Sequence, residues 1–324
     1  MESYLIERGF ETYLLTSEIS TKKSQNKTLK SLPEHYHFLE YEWKDDARQV
    51  NQVLEKIKPD WLIVDHYGLD YRWENEVKDN IKKLFVIDDL ADRKHISDLL
   101  LDQTLGRTKN DYKHLVKKNS EILAGSKYAL LRSEFIKFRD VIIKNRDFSK
   151  VSSILITMGG VDKNNCTNKV LEVLNELDFP QEVKIKIIMG KSSPWIKDVK
   201  EMALDLTYKV EVLTNINNMA ELMNESDLII GASGSTAWER CCLGVPSINI
   251  VLEKNQEKIG EALHSKGASI SVSISSRFYE DIRYAITDLF NSSSSREKMA
   301  RLALEVTDGK GTNRVYKHLM QMAA

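Results

Sequence analysis

Short apolar runs alternate with segments of helical spacing along most of the chain, and this alternation restricts the fold more than any other feature. The apolar runs have the length of buried strands. A regular β/α alternation predicts parallel sheets covered by helices on both faces, as in doubly wound α/β proteins. The runs lie in PDWLIVD, LFVIDDL, EILAGSKYALLRSEF, SSILITMGG, VKIKIIMG, KVEVLT, DLIIGAS and PSINIV.

A charged stretch, IIKNRDFSK, interrupts this rhythm, and the β/α pattern restarts after it. A chain of 324 residues is long enough for about two domains. We therefore place an N-terminal domain at 1–148 and a C-terminal domain at 149–324, whose final helix could pack back on the first domain. Two such domains would form a cleft between the carboxyl ends of their strands, where ligands of open α/β sheets bind. The SSSS stretch at 292–295 reads as a loop.

Composition excludes several classes of function. The formal net charge of −1 gives no reason to expect nucleic acid or an anionic membrane as a partner. No apolar run approaches the roughly 20 residues that span a bilayer, and Glu2 and Glu7 stand where a signal peptide would be basic. The cysteines, Cys166, Cys241 and Cys242, fit neither a disulfide framework nor a zinc site. A reducing cytoplasm is the compartment that this pattern favours.

The strongest local signal is the stretch DLIIGASGSTAWERCCLGVPSINI. A strand ends at Gly231, small residues follow over 232–235, and a helix begins near Ala237. Such a loop lets a ligand approach the backbone, and the free N–H groups of a helix N-terminus favour a phosphate or diphosphate. Glu239, in the first turn, could accept two hydrogen bonds from a ribose diol. A capping box formed by Thr236 and Glu239 explains the same residues equally well.

Two further loops follow predicted strands. TMGGVDKNNCT has a turn at Gly159 and Gly160 that could bring backbone N–H groups to the same ligand. A plain turn with an Asn or Thr cap on the next helix is the simpler interpretation. VDHYGLD brings Asp65, His66 and Tyr67 to a strand end. His66 could be a general base, although a lone loop histidine is more often merely solvated.

An acidic cluster lies in IDDLADRKH, at the end of another predicted strand. Its members are Asp88, Asp89 and Asp92, followed by Arg93 and Lys94. Clusters of acids can bind a metal, but they also cap helices, and the adjacent cations would partly neutralise this one. We therefore interpret the three aspartates as caps and ion-pair partners.

The first residues, MESYLIERGFETYLLTS, predict a short amphipathic helix, a turn at Gly9 and a strand over Thr12 to Thr16. Doubly wound domains usually open with a strand whose loop meets the ligand. We therefore expect the first strand of the N-terminal domain to be missing from this sequence.

Six stretches together resemble one family over essentially the whole chain, the UDP-2,4-diacetamido-2,4,6-trideoxy-β-L-altropyranose hydrolases of pseudaminic acid biosynthesis. The resemblance implies a two-domain fold of the glycosyltransferase B type, with UDP bound by the C-terminal domain and the sugar facing the N-terminal domain. It also implies hydrolysis by water attack at the anomeric carbon with inversion, for a product used in flagellar or capsular glycosylation. The stretches are VDHYGLD, IDDLADRKHISDLLLDQT, LAGSKYALLRSEF, MGGVDKNNCT, GASGSTAWERCCLGVPSINIV with KNQ after it, and DGKGTNRV.

The resemblance also implies roles for individual residues. The 233–236 loop would contact the diphosphate and Glu239 the ribose, while Asn255 and Gln256 match an Asn-Gln pair that could contact sugar or phosphate. Tyr67 matches the cleft tyrosine of the family, and His66 beside it is a supporting candidate. No metal and no other cofactor is expected. The substrate-binding candidates are Gly159, Gly160, Ser233, Gly234, Ser235, Thr236, Glu239, Asn255 and Gln256, and the catalytic candidates are Tyr67 and His66.

The family pattern begins with a strand, a G-x-G-H-x-x-R loop and a helix, whereas LIERGFETYLL aligns with the end of that helix and the second strand. The histidine that activates water belongs to this loop, and none of the seven histidines here lies in one. A start codon assigned too far downstream, a truncated gene or a protein that only binds would each explain the difference. Three functions remain: the hydrolase, a UDP-sugar glycosyltransferase of the same fold, and an inactive UDP-sugar binder.

Overall fold

The computed structural model describes residues 1–15, His35, Leu39 and 42–323. These residues form two compact units. Unit 1 comprises the described residues up to Leu130 together with those from Gly311 onward, and unit 2 comprises Leu131–Lys310. None of the helices in the described part is long and apolar enough to cross a membrane.

The described part of unit 1 contains a four-stranded parallel sheet in the order β1-β2-β3-β4. Because all four strands run the same way, the residues at or just after their carboxyl ends, including Asp65, Asp88 and Asp102, come to one edge. The elements before residue 131 are α1 (Glu2–Ile6), α2 (Trp43–Ile57), β1 (Trp61–Asp65), α3 (Tyr71–Val77), β2 (Lys83–Ile87), β3 (Leu99–Asp102) and β4 (Glu121–Ala124).

Unit 2 contains a six-stranded parallel sheet in the order β10-β9-β8-β5-β6-β7. The chain runs outward from β5 to β7 on one side and then from β8 to β10 on the other, so the strand order reverses between β5 and β8. The elements are α4 (Ser133–Asn145), β5 (Ser153–Thr157), α5 (Cys166–Asn175), β6 (Lys184–Met189), α6 (Ile196–Asp205), β7 (Lys209–Thr214), α7 (Met219–Asn224), β8 (Leu228–Ala232), α8 (Thr236–Leu243), β9 (Ser247–Val251), α9 (Glu257–Lys266), β10 (Ile270–Ser273), α10 (Phe278–Asn291) and α11 (Ser293–Leu304).

The last helix, α12 (Gly311–Ala323), belongs to unit 1. Val315 and Leu319 are buried in one apolar cluster with Phe85 of β2 and Leu99 of β3. Helix α12 therefore covers one face of the unit 1 sheet, although more than 200 residues separate it from those strands.

The division at 130/131 lies upstream of the boundary at 148/149 that the sequence suggests. Helix α4 lies between the two positions, and its contacts place it in unit 2. The guanidinium group of Arg139 donates hydrogen bonds of 2.7–2.9 Å to the carbonyl oxygens of Cys242, Leu304 and Thr307. The charged IIKNRDFSK stretch is therefore the end of a docked helix and the turn after it.

The predicted strand over Thr12 to Thr16 is wrong for its described residues, since 11–15 form no strand; Thr16 lies outside the described residues. The short helix before it is confirmed as α1, and Gly9 adopts a left-handed turn with φ of 82°. Tyr13 and Leu14 are 56% and 70% exposed. This segment thus buries too little apolar surface to be held in a sheet.

The SSSS stretch is helical, so its interpretation as a loop is wrong. The Ser292 hydroxyl accepts a hydrogen bond from the Ser295 N–H at 3.1 Å and caps α11, which begins at Ser293. Serine is a favoured N-cap residue because its side chain replaces a missing helical acceptor. A run of serines therefore marks the start of a helix here.

Candidate functional site

The loops after β5 and β8 flank the point where the strand order of the unit 2 sheet reverses. At such a point, neighbouring loops leave in opposite directions and open a crevice at the carboxyl ends of the strands, where ligands of open α/β sheets bind. The β5–α5 loop contains Gly159 and Gly160, and the β8–α8 loop contains residues 233–235. Two of the loops predicted from the sequence are therefore adjacent.

The β8–α8 loop is fixed from below by the next β/α turn. The Ser233 N–H donates to the Ile250 carbonyl at 2.8 Å, and the Ser233 hydroxyl donates to the Gln256 carbonyl at 3.4 Å. A Cβ atom on Gly234 would lie 3.8 Å from Nε2 of Gln256. The Gln256 side chain is itself held, because its Oε1 accepts from the Leu252 N–H at 3.0 Å. The structure thus brings Ser233, Gly234 and Gln256 together.

The N-terminus of α8 is not capped by a side chain. Ser235 is the N-cap residue and its hydroxyl makes no capping hydrogen bond. Among the described residues, none accepts a hydrogen bond from the N–H groups of Gly234, Ser235 or Thr236. The capping box of Thr236 and Glu239 is therefore not formed, and the Thr236 hydroxyl instead accepts from Arg240 at 3.1 Å. Open N–H groups at the start of a helix favour the binding of an anion.

Helix α5 contrasts with α8, because the chain caps it. The carboxylate of Asp162 accepts from the Cys166 and Thr167 N–H groups at 2.8 and 2.9 Å and from the Thr167 hydroxyl at 2.7 Å. The cap is thus Asp162 rather than the Asn or Thr expected from the sequence. A carboxylate already occupies this helix end, so an anion can reach only the turn at Gly159 and Gly160, where Cβ atoms would meet nothing within 4 Å.

The position of the β5–α5 turn depends on Gly190 at the end of β6. A Cβ atom on Gly190 would overlap the backbone carbonyl group of Gly160. We expect Gly190→Ala to lower the free energy of unfolding by about 1–3 kcal/mol, the range for an overpacked site, and to displace the turn. Urea unfolding measures the first effect. Gly160→Ala is the control, because its Cβ meets no neighbour; equal losses in both variants would contradict this explanation.

Glu239 lies beside this open helix end. Its side chain is 14% exposed, and its Oε1 lies 3.5 Å from one terminal nitrogen of the Arg132 guanidinium group. The other terminal nitrogen of Arg132 lies 2.9 Å from Oε1 of Glu134. Burial raises the pKa of Glu239, while the charges of Arg132 and Arg240 oppose the shift. Its carboxylate therefore has one long contact with a cation and retains the capacity to accept further hydrogen bonds.

In unit 1, Tyr67 and Asp89 meet at the edge where β1 and β2 end. The Tyr67 hydroxyl donates to Oδ2 of Asp89 at 3.1 Å. His66 Nδ1 accepts from the Gly68 N–H at 3.0 Å, which makes Nδ1 the acceptor nitrogen. Burial raises the pKa of Asp65, which lies at the end of β1. This edge therefore groups a phenol, an imidazole and carboxylates.

The assignment of the acidic cluster to caps and ion pairs holds for two of its members. Asp88 forms a buried ion pair with Arg93 at 2.9 Å and accepts from the Ala91 N–H at 3.0 Å. Asp92 lies 3.2 Å from the same guanidinium group. The assignment is wrong for Asp89, whose Oδ2 binds Tyr67 and whose buried Oδ1 has no hydrogen-bond partner in the described structure.

The surroundings of Asp89 hold its carboxyl group in an unusual state. Burial, followed by the charges of Asp88 and Asp102, raises its pKa to about 6. The buried Tyr112 hydroxyl lies between the other two carboxylates, 2.9 Å from Asp88 and 2.8 Å from Asp102. Asp102 also lies 2.9 Å from Nε of Arg107. A carboxyl group with a pKa near neutrality is suited to proton transfer.

No metal site emerges from the part of the chain that the structure describes. Its histidine, cysteine and acidic side chains form no group of three or more that could hold an ion. Burial raises the pKa of Cys166 and Cys242 to about 11 and that of Cys241 to about 12, so all three remain neutral thiols.

Two parallel-sheet α/β units define the class, which is the glycosyltransferase B fold. MurG of Acinetobacter baumannii has this fold and superimposes with a TM-score of 0.60 over 86% of this chain and 78% of its own, at 16% identity. The glycosyltransferase family 28 C-terminal domain matches residues 153–315. The chain therefore belongs to the family that carries this domain, as half of its length shows the match.

Two relatives extend the similarity beyond the domain. The UDP-2,4-diacetamido-2,4,6-trideoxy-beta-L-altropyranose hydrolase of Campylobacter jejuni is 31% identical over 222 residues, which are 68% of this chain and 76% of that protein. The uncharacterized protein MJ1062 of Methanocaldococcus jannaschii is 29% identical over 215 residues. The match covers 65% of this chain but only 44% of the Methanocaldococcus protein. The chain is thus related to UDP-sugar-processing enzymes.

Proposed function

We propose that this protein hydrolyses a UDP-linked 2,4-diacetamido-2,4,6-trideoxy hexose to UDP and free sugar in the cytoplasm, as a step of pseudaminic acid biosynthesis. The Campylobacter relative carries this activity in its name and aligns with two thirds of the chain. The structural observation that carries the proposal is the uncapped N-terminus of α8 at the reversal point of the unit 2 sheet. The partner is the UDP-sugar itself.

In unit 2, the open N–H groups of Gly234, Ser235 and Thr236 bind the diphosphate in this proposal. As the bond from the anomeric carbon to the diphosphate oxygen breaks, negative charge grows on the leaving group. Preorganised N–H donors and the helix dipole stabilise that charge without a metal ion. Glu239 accepts hydrogen bonds from the ribose hydroxyls. The remaining substrate contacts come from the other residues that the sequence predicts, which are Gly159, Gly160, Asn255 and Gln256.

In unit 1, we assign the sugar-facing chemistry to the edge that holds Tyr67. Water adds to the anomeric carbon from the face opposite the diphosphate, and the configuration inverts. The proton that this water loses needs an acceptor within hydrogen-bond reach. Asp89, whose carboxyl group has a pKa of about 6, is the candidate acceptor for this proton. Tyr67, whose hydroxyl donates to Asp89, is the candidate that orients the sugar and water, and His66 supports it.

A glycosyltransferase is the alternative that one observation favours, namely the match to a glycosyltransferase domain over residues 153–315. Both functions use the same diphosphate site and differ in the nucleophile, which is a sugar or lipid hydroxyl in the transferase. A protein that binds the UDP-sugar without turnover is the third outcome.

Product analysis distinguishes these functions. The protein is incubated with the UDP-linked diacetamido-trideoxy hexose alone, and UDP and free sugar are quantified by chromatography and mass spectrometry. Release of free sugar in the absence of any acceptor, with inverted configuration in the first NMR spectra, is expected. Turnover that requires an added acceptor would identify a transferase, and binding of UDP without turnover would identify a binder.

Replacement of Glu239 tests the ribose contact. Glu239→Gln keeps the shape of the side chain but removes the charged acceptor, so UDP affinity should fall by about 1.5–3 kcal/mol, the range for hydrogen bonds to charged groups. Calorimetric titration with UDP measures the change. Glu134→Gln is the matched control, because Glu134 contacts the same Arg132 side chain. Unchanged affinity in Glu239→Gln would remove the ribose assignment.

A further inference from the structure

The β8–α8 loop rests on a fully buried arginine. Arg240, in α8, has no exposed surface, and its guanidinium group donates to the Ala232 carbonyl at 2.7 Å and to the Thr236 hydroxyl at 3.1 Å. Ala232 is the last residue of β8 and Thr236 the first residue of α8, so these two acceptors flank the loop. A third hydrogen bond of 2.7 Å goes to Oδ1 of Asn249, whose amide in turn donates to the Ser269 hydroxyl at 2.9 Å.

Space for this guanidinium group is left by a glycine. A Cβ atom on Gly231 would lie 2.8 Å from a terminal nitrogen of Arg240 and 2.9 Å from the Thr157 carbonyl oxygen. Gly231 is therefore required by packing beneath the loop, in addition to any contact that a ligand makes above it.

No carboxylate in the described part of the chain lies within ion-pair distance of the Arg240 guanidinium group. All three of its hydrogen-bond acceptors are neutral, and its Nε atom is buried without an acceptor. Burial lowers the pKa of Arg240 to about 10, and Cys241 and Glu239 oppose this shift electrostatically. The group is still charged at neutral pH. A buried charge without a partner is costly unless something else compensates it.

We propose that Arg240 is a positioning residue of the β8–α8 loop, and that the diphosphate bound on the loop supplies the negative charge that its buried guanidinium lacks. The inference rests on the proposed function, because it takes a UDP diphosphate as the occupant of the loop. Arg240 donates hydrogen bonds to the residues on both sides of the loop, so that the N–H groups of residues 234–236 remain available to a ligand. Its charge adds to the positive end of the α8 dipole at the same place.

Asn249→Asp separates the charge of Arg240 from its geometry. The substitution is nearly isosteric, retains an oxygen 2.7 Å from the guanidinium group, and lets the Ser269 hydroxyl donate to the second oxygen. It gives Arg240 an internal counter-ion. We expect UDP to bind at least about tenfold more weakly, because a charge in this buried setting is poorly screened. The midpoint of urea unfolding should not fall, and uridine, which lacks phosphate, should bind as it does to the unmodified protein.

The control for net charge is Asn291→Asp, which adds the same charge at an exposed position of unit 2. If Arg240 has a purely structural role, UDP affinity will be unchanged in Asn249→Asp. That result would overturn the inference and leave the proposed function intact. Failure of the unmodified protein to bind UDP overturns both. The two failures are therefore distinguished in one set of titrations.

A second pair of variants keeps the test decisive if Asn249→Asp does not fold. Arg240→Lys and Arg240→Met both remove the guanidinium fork, but only lysine can keep a positive charge. We expect the lysine variant to bind UDP about tenfold more tightly than the methionine variant, with uridine unable to distinguish them. Equal UDP affinities would overturn the contribution of the charge.

Discussion

Arg93→Met should lower the free energy of unfolding of unit 1 by about 3–5 kcal/mol, the range for removal of one partner from a buried ion pair. Arg93 and Asp88 are both almost fully buried, 2.9 Å apart. Burial alone would raise the pKa of Asp88, but Arg93, together with His95, the Ala91 N–H and Tyr112, holds it below its ordinary value. Methionine leaves that carboxylate buried without its cation.

The loss should depend on pH in a defined direction. In the unmodified protein, the lowered pKa of Asp88 means that its contribution to stability is present above the ordinary value of 3.8 and is lost as pH falls through the lower folded value. In Arg93→Met the pKa of Asp88 rises instead, so its ionisation opposes folding. The loss of unfolding free energy in Arg93→Met, relative to the unmodified protein, should therefore be larger at pH 8 than at pH 5. Hydrogen exchange of β2 amides reports on unit 1 separately from unit 2.

The double variant Arg93→Met with Asp88→Asn is the control for this argument. If the penalty comes from a stranded carboxylate, the second substitution should restore a large part of the stability. If the loss instead reflects the hydrogen bond from Arg93 to the Leu69 carbonyl at 3.2 Å, the double variant will be as unstable as Arg93→Met. That result would show that the loop after β1, rather than the ion pair, determines the effect.

The alternation of β and α segments was sufficient to predict parallel α/β sheets, because parallel strands buried on both faces are continuous apolar runs. The glycosyltransferase B type was expected only from the family resemblance. Strand β8 is buried at every position and is unmistakable in the sequence. Strand β3, LLLD, was not predicted, since four residues are too few to show a period. Asp102, at the end of this strand, was therefore not predicted as part of the site, although its charge helps to raise the pKa of Asp89.

The candidate site was only partly readable from the sequence, because residue types do not show what each side chain contacts. Helices α5 and α8 both follow glycine-containing loops, but only α5 is capped by the chain. The cap depends on Asp162, which has a left-handed φ of 50° and whose carboxylate accepts from the Cys166 N–H. Arg240 is a second residue whose contacts the sequence does not show. An arginine in an amphipathic helix is normally solvated, and nothing in the local pattern predicts that Gly231 makes room to bury it.

Asp89→Asn should stabilise unit 1 by up to about 3 kcal/mol at pH 8 and have little effect at pH 4. The raised pKa of about 6 means that the folded state resists ionisation of Asp89. Its unfavourable contribution begins as pH rises above the ordinary 3.8 and is complete above the folded value. A pKa raised from 3.8 to about 6 corresponds to about 3 kcal/mol of unfolding free energy. Asparagine removes the charge and retains an oxygen that can accept from Tyr67.

Hydrogen exchange of β2 amides at the two pH values measures this gain, and Asp79→Asn is the control at an exposed position of the same unit. A residue that costs stability is retained when function requires it. Asp89→Asn should therefore also lower the rate of sugar release from the UDP-linked hexose, with UDP affinity unchanged, because we propose that the diphosphate binds in unit 2. A variant that is more stable and equally active would show that Asp89 is not required for the chemistry. A variant with no gain at pH 8 would show that Asp89 is not held near neutrality.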